Sequence, residues 1–143
     1  MSFDKKTLNQ LEGWSPTSIP DNDSYIEKAS FELRNKPLYE MTVEDLRILI
    51  GQGIGLKFLM PIALRVLSKD PLAEGMHYPG DLLASVLRAP SAFFAQNSLS
   101  GLAAEAAYKE AERRLAELDE IDRRYAGQGL AEAWIIFNRR RPK

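Results

Sequence analysis

Residues 51–57 read GQGIGLK, three glycines within five positions followed by a lysine. Such a stretch raises phosphate chemistry, because closely spaced glycines let backbone N–H groups approach an anion and a lysine can neutralise it. The template fits poorly. A dinucleotide loop needs a third glycine where Leu56 stands, and a P-loop needs glycine before Lys57 and serine or threonine after it, where Phe58 stands. The segment before Gly51 is also patterned as an amphipathic helix, not as a buried strand. Gly51, Gln52, Gly53 and Gly55 therefore read as a helix end followed by a tight corner between two helices.

Other chemistry-bearing residues are sparse. His77 is the lone histidine and there is no cysteine. That excludes disulfides, thiolate metal sites and a cysteine nucleophile. His77 with Asp81, or a triad with Ser85 or Ser91, is the one catalytic arrangement to consider, and no spacing supports it. No metal and no cofactor are expected. Glu117, Asp119, Glu120 and Asp122 cluster in ELDEID. Arg113, Arg114, Arg123 and Arg124 stand at distances that allow pairing on a solvated helix face. The same carboxylates could instead meet a basic partner, where complementary charge raises on-rate and specificity. Asp21 and Asp23, with Glu27, form a second such candidate. Arg139, Arg140 and Arg141 could touch RNA, but positive charge at a helix C-terminus also suits the helix dipole. Trp14, Tyr25, Tyr39, Tyr78 and Trp134 are available as interface anchors or as core.

The elements that must position these groups are helical. Ser24-x-x-Glu27 and Thr42-x-x-Asp45 are helix start signals. Ile26, Ala29 and Leu33 make one stripe, closed by Pro37; Val43, Leu46, Leu49 and Ile50 make another, stopped by the glycines. Residues 56–67 are apolar nearly all round and should be buried, with Pro61 placing the helix start near Lys57 or Phe58, or a kink. Asp81 is a natural N-cap for a short helix closed by Pro90, and Ser91 for a turn bearing Phe93 and Phe94. A long helix is expected over about 99–125, with Tyr108, Ala111, Leu115, Leu118, Ile121 and Tyr125 as its stripe. Gly127 and Gly129 break it, before a last helix carrying Leu130, Ala133, Trp134 and Phe137. No alternating β-branched run appears. The expectation is all-α, one compact domain over residues 1–143 of about six helices, with residues 1–23 irregular.

The chain has 143 residues and a net charge of −1. This size suits one core. The balance gives no general attraction to nucleic acid or anionic membrane, so neither partner is expected. The N-terminus lacks an apolar signal segment, and residues 54–67 are too short to span a bilayer, so a cytoplasmic location is expected. Residue chemistry alone favours a helical binding protein over an enzyme, with a helical RNA-binding or regulatory module using Arg139 to Arg141 as the alternative.

The run over residues 36–83 has a recognisable cadence. Lys36-Pro37-Leu38, Asp45-Leu46-Arg47, Gln52 with Ile54-Gly55-Leu56, Pro61 with Ala63-Leu64, Asp70-Pro71-Leu72, Glu74-Gly75 and Tyr78-Pro79-Gly80-Asp81-Leu82-Leu83 follow in order. Leu11-Glu12 and Trp14 extend it upstream. Half the chain in this way resembles an all-helical family of immunity proteins from bacterial contact-dependent growth inhibition systems. The resemblance implies a cytoplasmic protein that binds the C-terminal toxin domain of a delivered effector, often a nuclease, and inhibits it stoichiometrically without catalysis. It marks Gly51, Gln52, Gly53, Gly55, Tyr78, Pro79, Gly80 and Asp81 as scaffold, and leaves the oligomeric state open.

Overall fold

A computed structural model describes residues 5–13 and 24–140, with the side chain of Arg140 excepted. The described residues form eight α-helices and no strand, two helices more than the periodicity indicates. Part of the difference lies in the segment expected to be irregular. There Thr7 caps α1 (Leu8–Glu12): its hydroxyl accepts the Gln10 N–H, and the Gln10 side chain takes the Thr7 N–H. The reciprocal cap satisfies two orphan donors, and Leu8 is fully buried, so even this short helix is anchored. Trp14, Pro16, Ile19, Pro20, Asp21, Asn22 and Asp23 lie outside the described residues.

Ser24 accepts the Glu27 N–H at the start of α2 (Tyr25–Leu33). A 3₁₀ turn at Leu38–Glu40 follows Pro37. Thr42 and Asp45 form a complete capping box at the head of α3 (Val43–Gly51), which buries Leu46, Ile48, Leu49 and Ile50. After the glycine corner comes α4 (Leu56–Lys69), burying Leu59, Met60, Ala63 and Leu67 at helical spacing. It begins at Leu56, ahead of the start near Lys57 or Phe58 expected from Pro61. Pro61 removes the N–H that would bond the Lys57 carbonyl, but both residues are exposed, so water can take that carbonyl.

The centre of the molecule is α5 (Asp81–Leu87), packed against α3, α4, α7 and α8. Leu82, Leu83, Ala84, Val86 and Leu87 are all buried. Each large apolar side chain so buried contributes roughly 1.5–3 kcal/mol, which explains how a helix of two turns survives. Its N-cap is Gly80, at φ +92°, and not Asp81. The short α6 (Ser91–Gln96) is likewise preceded by Pro90, and Ser91 is its first residue, with no side-chain cap.

The long C-terminal helix is in fact a hairpin. The first arm, α7 (Ser98–Arg114), runs into a 3₁₀ turn at Leu115–Glu117, and α8 (Glu120–Arg140) returns. Tyr108 of α7 stacks on Trp134 of α8 at 4.1 Å and 2°, and Trp134 stacks on Phe137 at 5.5 Å. The Phe94 ring meets Phe137 edge-on at 5.3 Å. The chain turns at Asp119, whose carboxylate accepts the Asp122 N–H at 2.8 Å and so caps α8. The expected stripe divides there: Tyr108 and Ala111 are buried, whereas Ile121 and Tyr125 are exposed. Gly127 and Gly129, expected to break the helix, lie within α8. One apolar cluster runs from Leu8 to Phe137.

Candidate partner-binding surface

The glycine stretch forms the corner between α3 and α4. Gly51 is the last residue of α3, and the exposed Gln52 caps it through a backbone N–H to the Ile48 carbonyl at 3.1 Å. Gly53 and Gly55 adopt left-handed conformations at φ +71° and +65°. The two differ in their surroundings. A Cβ on Gly53 would meet nothing, while one on Gly55 would lie 2.8 Å from both Leu8 methyls. This corner is where α1 closes onto the core. Lys57 is exposed and sits 5.5 Å from the Phe58 ring centre.

The second motif residues, Tyr78, Pro79, Gly80 and Asp81, belong to a loop clamped by carboxylates. Asp81 is 3% exposed. An isolated buried carboxylate would be strongly penalised. Here it accepts the backbone N–H of Gly75 at 2.7 Å and of His77 at 3.0 Å, with the Arg47 guanidinium 3.9 Å away. Arg47 is itself held by both oxygens of Glu44 at 2.6 Å, and Glu44 also accepts the Met76 N–H at 3.0 Å. The guanidinium first, and the Met76 N–H after it, hold the Glu44 carboxyl below its usual value despite some desolvation. Gly75 is required by this arrangement, since a Cβ there would run into Glu44 and come within 3.2 Å of Asp81 Oδ2. An antiparallel bridge between Glu74 and Pro79 closes the loop.

The loop rests on α8. The Tyr78 ring lies over Gly129, where a Cβ would come 2.5 Å from Tyr78 Cζ, and Gly80 abuts Leu130. Burial pushes the Tyr78 phenol up. Gly129 is thus a helix glycine kept for close approach, not a helix breaker. His77 meets Asp81 through its backbone N–H. Ser85 faces Gly51, where its hydroxyl would lie 3.7 Å from an added Cβ.

The acidic candidates have separate positions. Asp119 is engaged as the α8 cap, Glu120 stands 3.8 Å from Arg124, and Glu117 is exposed in the 3₁₀ turn. Asp122 lies in the first turn of α8. The Glu74 carboxyl is raised, by partial desolvation first and then by the negative charges of Asp122 and Asp81. Asp21 and Asp23 lie outside the described residues, as does Arg141; Arg139 is exposed near the end of α8.

Sequence spacing does not reveal the long-range half of this site. Glu44 and Arg47 are readable as an i,i+3 pair, but nothing marks Met76 as their neighbour. Nor does it show that Tyr25, Met76, Ile121 and Tyr125 would remain exposed while similar residues are buried. Among the described residues, no group of three or more His, Cys, Asp or Glu is arranged to hold a metal. No described helix is long and apolar enough to cross a membrane.

The model of a protein family described as CDI immunity proteins matches residues 10–101. The match takes in the glycine corner and the clamped loop and stops at the start of α7. No curated protein and no solved structure matches the chain.

Proposed function

Since the chain belongs to the CDI immunity protein family, we propose that it binds the C-terminal toxin domain of a contact-dependent growth inhibition effector and neutralises it stoichiometrically in the cytoplasm, without catalysis. The observation that carries this reading is the family match over residues 10–101, which span α2–α6, the glycine corner and the clamped loop. The toxin is a nuclease with a basic substrate cleft, and the immunity protein covers that cleft or a site beside it. Acidic groups in the 3₁₀ turn and at the head of α8, Glu117 in the first and Glu120 and Asp122 in the second, support that reading, because opposite potentials steer association. Asp21 and Asp23 are the second acidic group proposed for the contact.

Asp119 is a poor probe of the interface, since its reversal would also remove a helix cap. Charge reversal at Glu117 is the cleaner test of steering. If this face guides encounter, Glu117→Lys slows association with the cognate toxin domain and weakens its salt dependence. Unchanged association kinetics would place the contact elsewhere. The whole reading is tested by expressing the chain in cells that receive the toxin encoded immediately upstream of its gene. Protection against that toxin alone is expected, and growth arrest despite expression would refute it.

A further inference from the structure

Helices α2 and α3 are nine residues long each, yet they are held very differently. Leu46, Ile48, Leu49 and Ile50 of α3 are buried. In α2 one side chain is buried, that of Ser30, and it is polar. At 6% exposure its Oγ finds no hydrogen-bond partner among the described residues. A hydroxyl that leaves water without a replacement partner opposes the packed state instead of supporting it. Ile26, Ala29 and Phe31 are only partly covered, and Tyr25 is 69% exposed. A helix of this length does not hold in water without burial against its neighbours.

The contact between the two helices is also incomplete. A cleft of about 400 Å³ lies between them, with Tyr25, Ala29 and Leu33 on one wall and Glu44, Asp45 and Ile48 on the other. The downstream end of α2, by contrast, is tied. Arg34 Nε–H donates to Asn9 Oδ1 at 2.9 Å, and the Arg34 carbonyl accepts the Asn9 N–H at 3.1 Å. Lys36 pairs with Asp45 at 2.6 Å, and Leu33 packs on the apolar cluster.

We infer that α2 is a hinged cover: residues 25–32 leave α3 and unwind as a unit, anchored at residues 33–36, while α3, α5 and the clamped loop stay folded. The opening widens the cleft and bares its α3 wall at Ile48, which is 4% exposed in the closed form. It breaks none of the bonds by which Glu44 holds Arg47 and the Met76 N–H, since these are made within α3 and to the loop. The folded chain then has two states, and a partner that prefers one of them shifts the balance. The opening is a property of the chain alone and stands or falls independently of the immunity reading.

Native-state hydrogen exchange of the full chain, followed by NMR at increasing urea below the unfolding transition, tests this. Amides of residues 29–32 are expected to exchange about a hundredfold faster, or more, than those of Leu49, Ile50 and Val86, with little dependence on urea, because a local opening exposes little surface. Ser30→Ala removes the unpaired hydroxyl and is expected to slow exchange in α2 by roughly threefold or more. Glu32→Pro, at an exposed position, breaks the helix without touching the core; it is expected to lose the α2 signal in circular dichroism while Leu49, Ile50 and Val86 stay protected. Exchange of the α2 amides at the rate and urea dependence of Val86, α2 exchange in Ser30→Ala at or above the wild-type rate, or global unfolding of Glu32→Pro overturns the inference.

Discussion

Gly127 and Gly129 stand two residues apart in α8, and replacing each by alanine should have different effects. Both substitutions gain helix propensity, about 1 kcal/mol for glycine to alanine in a helix interior. At Gly127 nothing lies within 4 Å of an added Cβ, so the gain stands alone. At Gly129 the Cβ would come 2.5 Å from Tyr78 Cζ and 2.8 Å from Cε2. The ring, and the loop that carries it, must move, and overpacking of this kind costs about 1–3 kcal/mol. Gly127→Ala should therefore stabilise by up to ~1 kcal/mol, while Gly129→Ala should be neutral or destabilise by up to ~2 kcal/mol. Urea unfolding followed by circular dichroism measures both, with the slope of the transition unchanged. In a Tyr78→Ala background, Gly129→Ala should become stabilising, because the obstacle is gone. Equal destabilisation by the two single substitutions would refute the reasoning and restore a chain break at these glycines.

Gly53→Ala should cost about 1–2 kcal/mol from its left-handed backbone alone. Gly55→Ala should cost more, since its Cβ also meets the Leu8 methyls at 2.8 Å; equal urea midpoints would contradict the corner geometry. Asp81→Asn breaks a buried charge network and should cost on the order of 3 kcal/mol, with faster hydrogen exchange at Gly75 and His77 as the local sign. Asp119→Ala should cost about 1 kcal/mol as a lost cap, whereas Glu117→Ala, exposed and outside any cap, should leave the melting temperature unchanged. Stability should also fall in acid. Arg47 and the Met76 N–H lower the Glu44 carboxyl; at Asp45, burial raises the carboxyl, but Lys36 and Thr42 more than offset it. A depressed folded value contributes stability above the ordinary pKa of 4.5 or 3.8, and that stability is lost as pH falls through the folded value. Glu44→Gln should flatten this acid limb in urea titrations run from pH 6 downward (a range set by the ordinary carboxylate values).

Much of the fold is legible in the sequence because its signals are local. The Thr42–Asp45 capping box and the apolar face of α4 follow directly from spacing. The path after Ser98 is less legible, for a physical reason. Residues 99–125 are rich in helix formers, and an apolar spacing of three and four carries on through Leu118 to Tyr125. A single N-cap at Asp119 ends that continuity, and it sits inside an acidic run that also reads as a solvated face. The glycines mislead in the other direction. Propensity makes Gly127 and Gly129 helix breakers, but α8 runs through both, anchored beside them by the buried Ala126, Leu130 and Ala133. Asp81 has the right type for an N-cap, yet Gly80 takes that position, and the carboxylate turns back to hold its own loop. The contact that joins α3 to this loop, Glu44 accepting the Met76 N–H, spans 32 residues of chain, a separation that no local pattern encodes.

The partner of this scaffold is the toxin domain proposed above. Isothermal titration of the chain with the toxin domain encoded upstream, with residual toxin activity followed in the same titration, measures binding and neutralisation together. A 1:1 endpoint at which toxin activity is abolished is expected, with affinity that falls as salt rises. Absence of binding, or full toxin activity in the saturated complex, would contradict it.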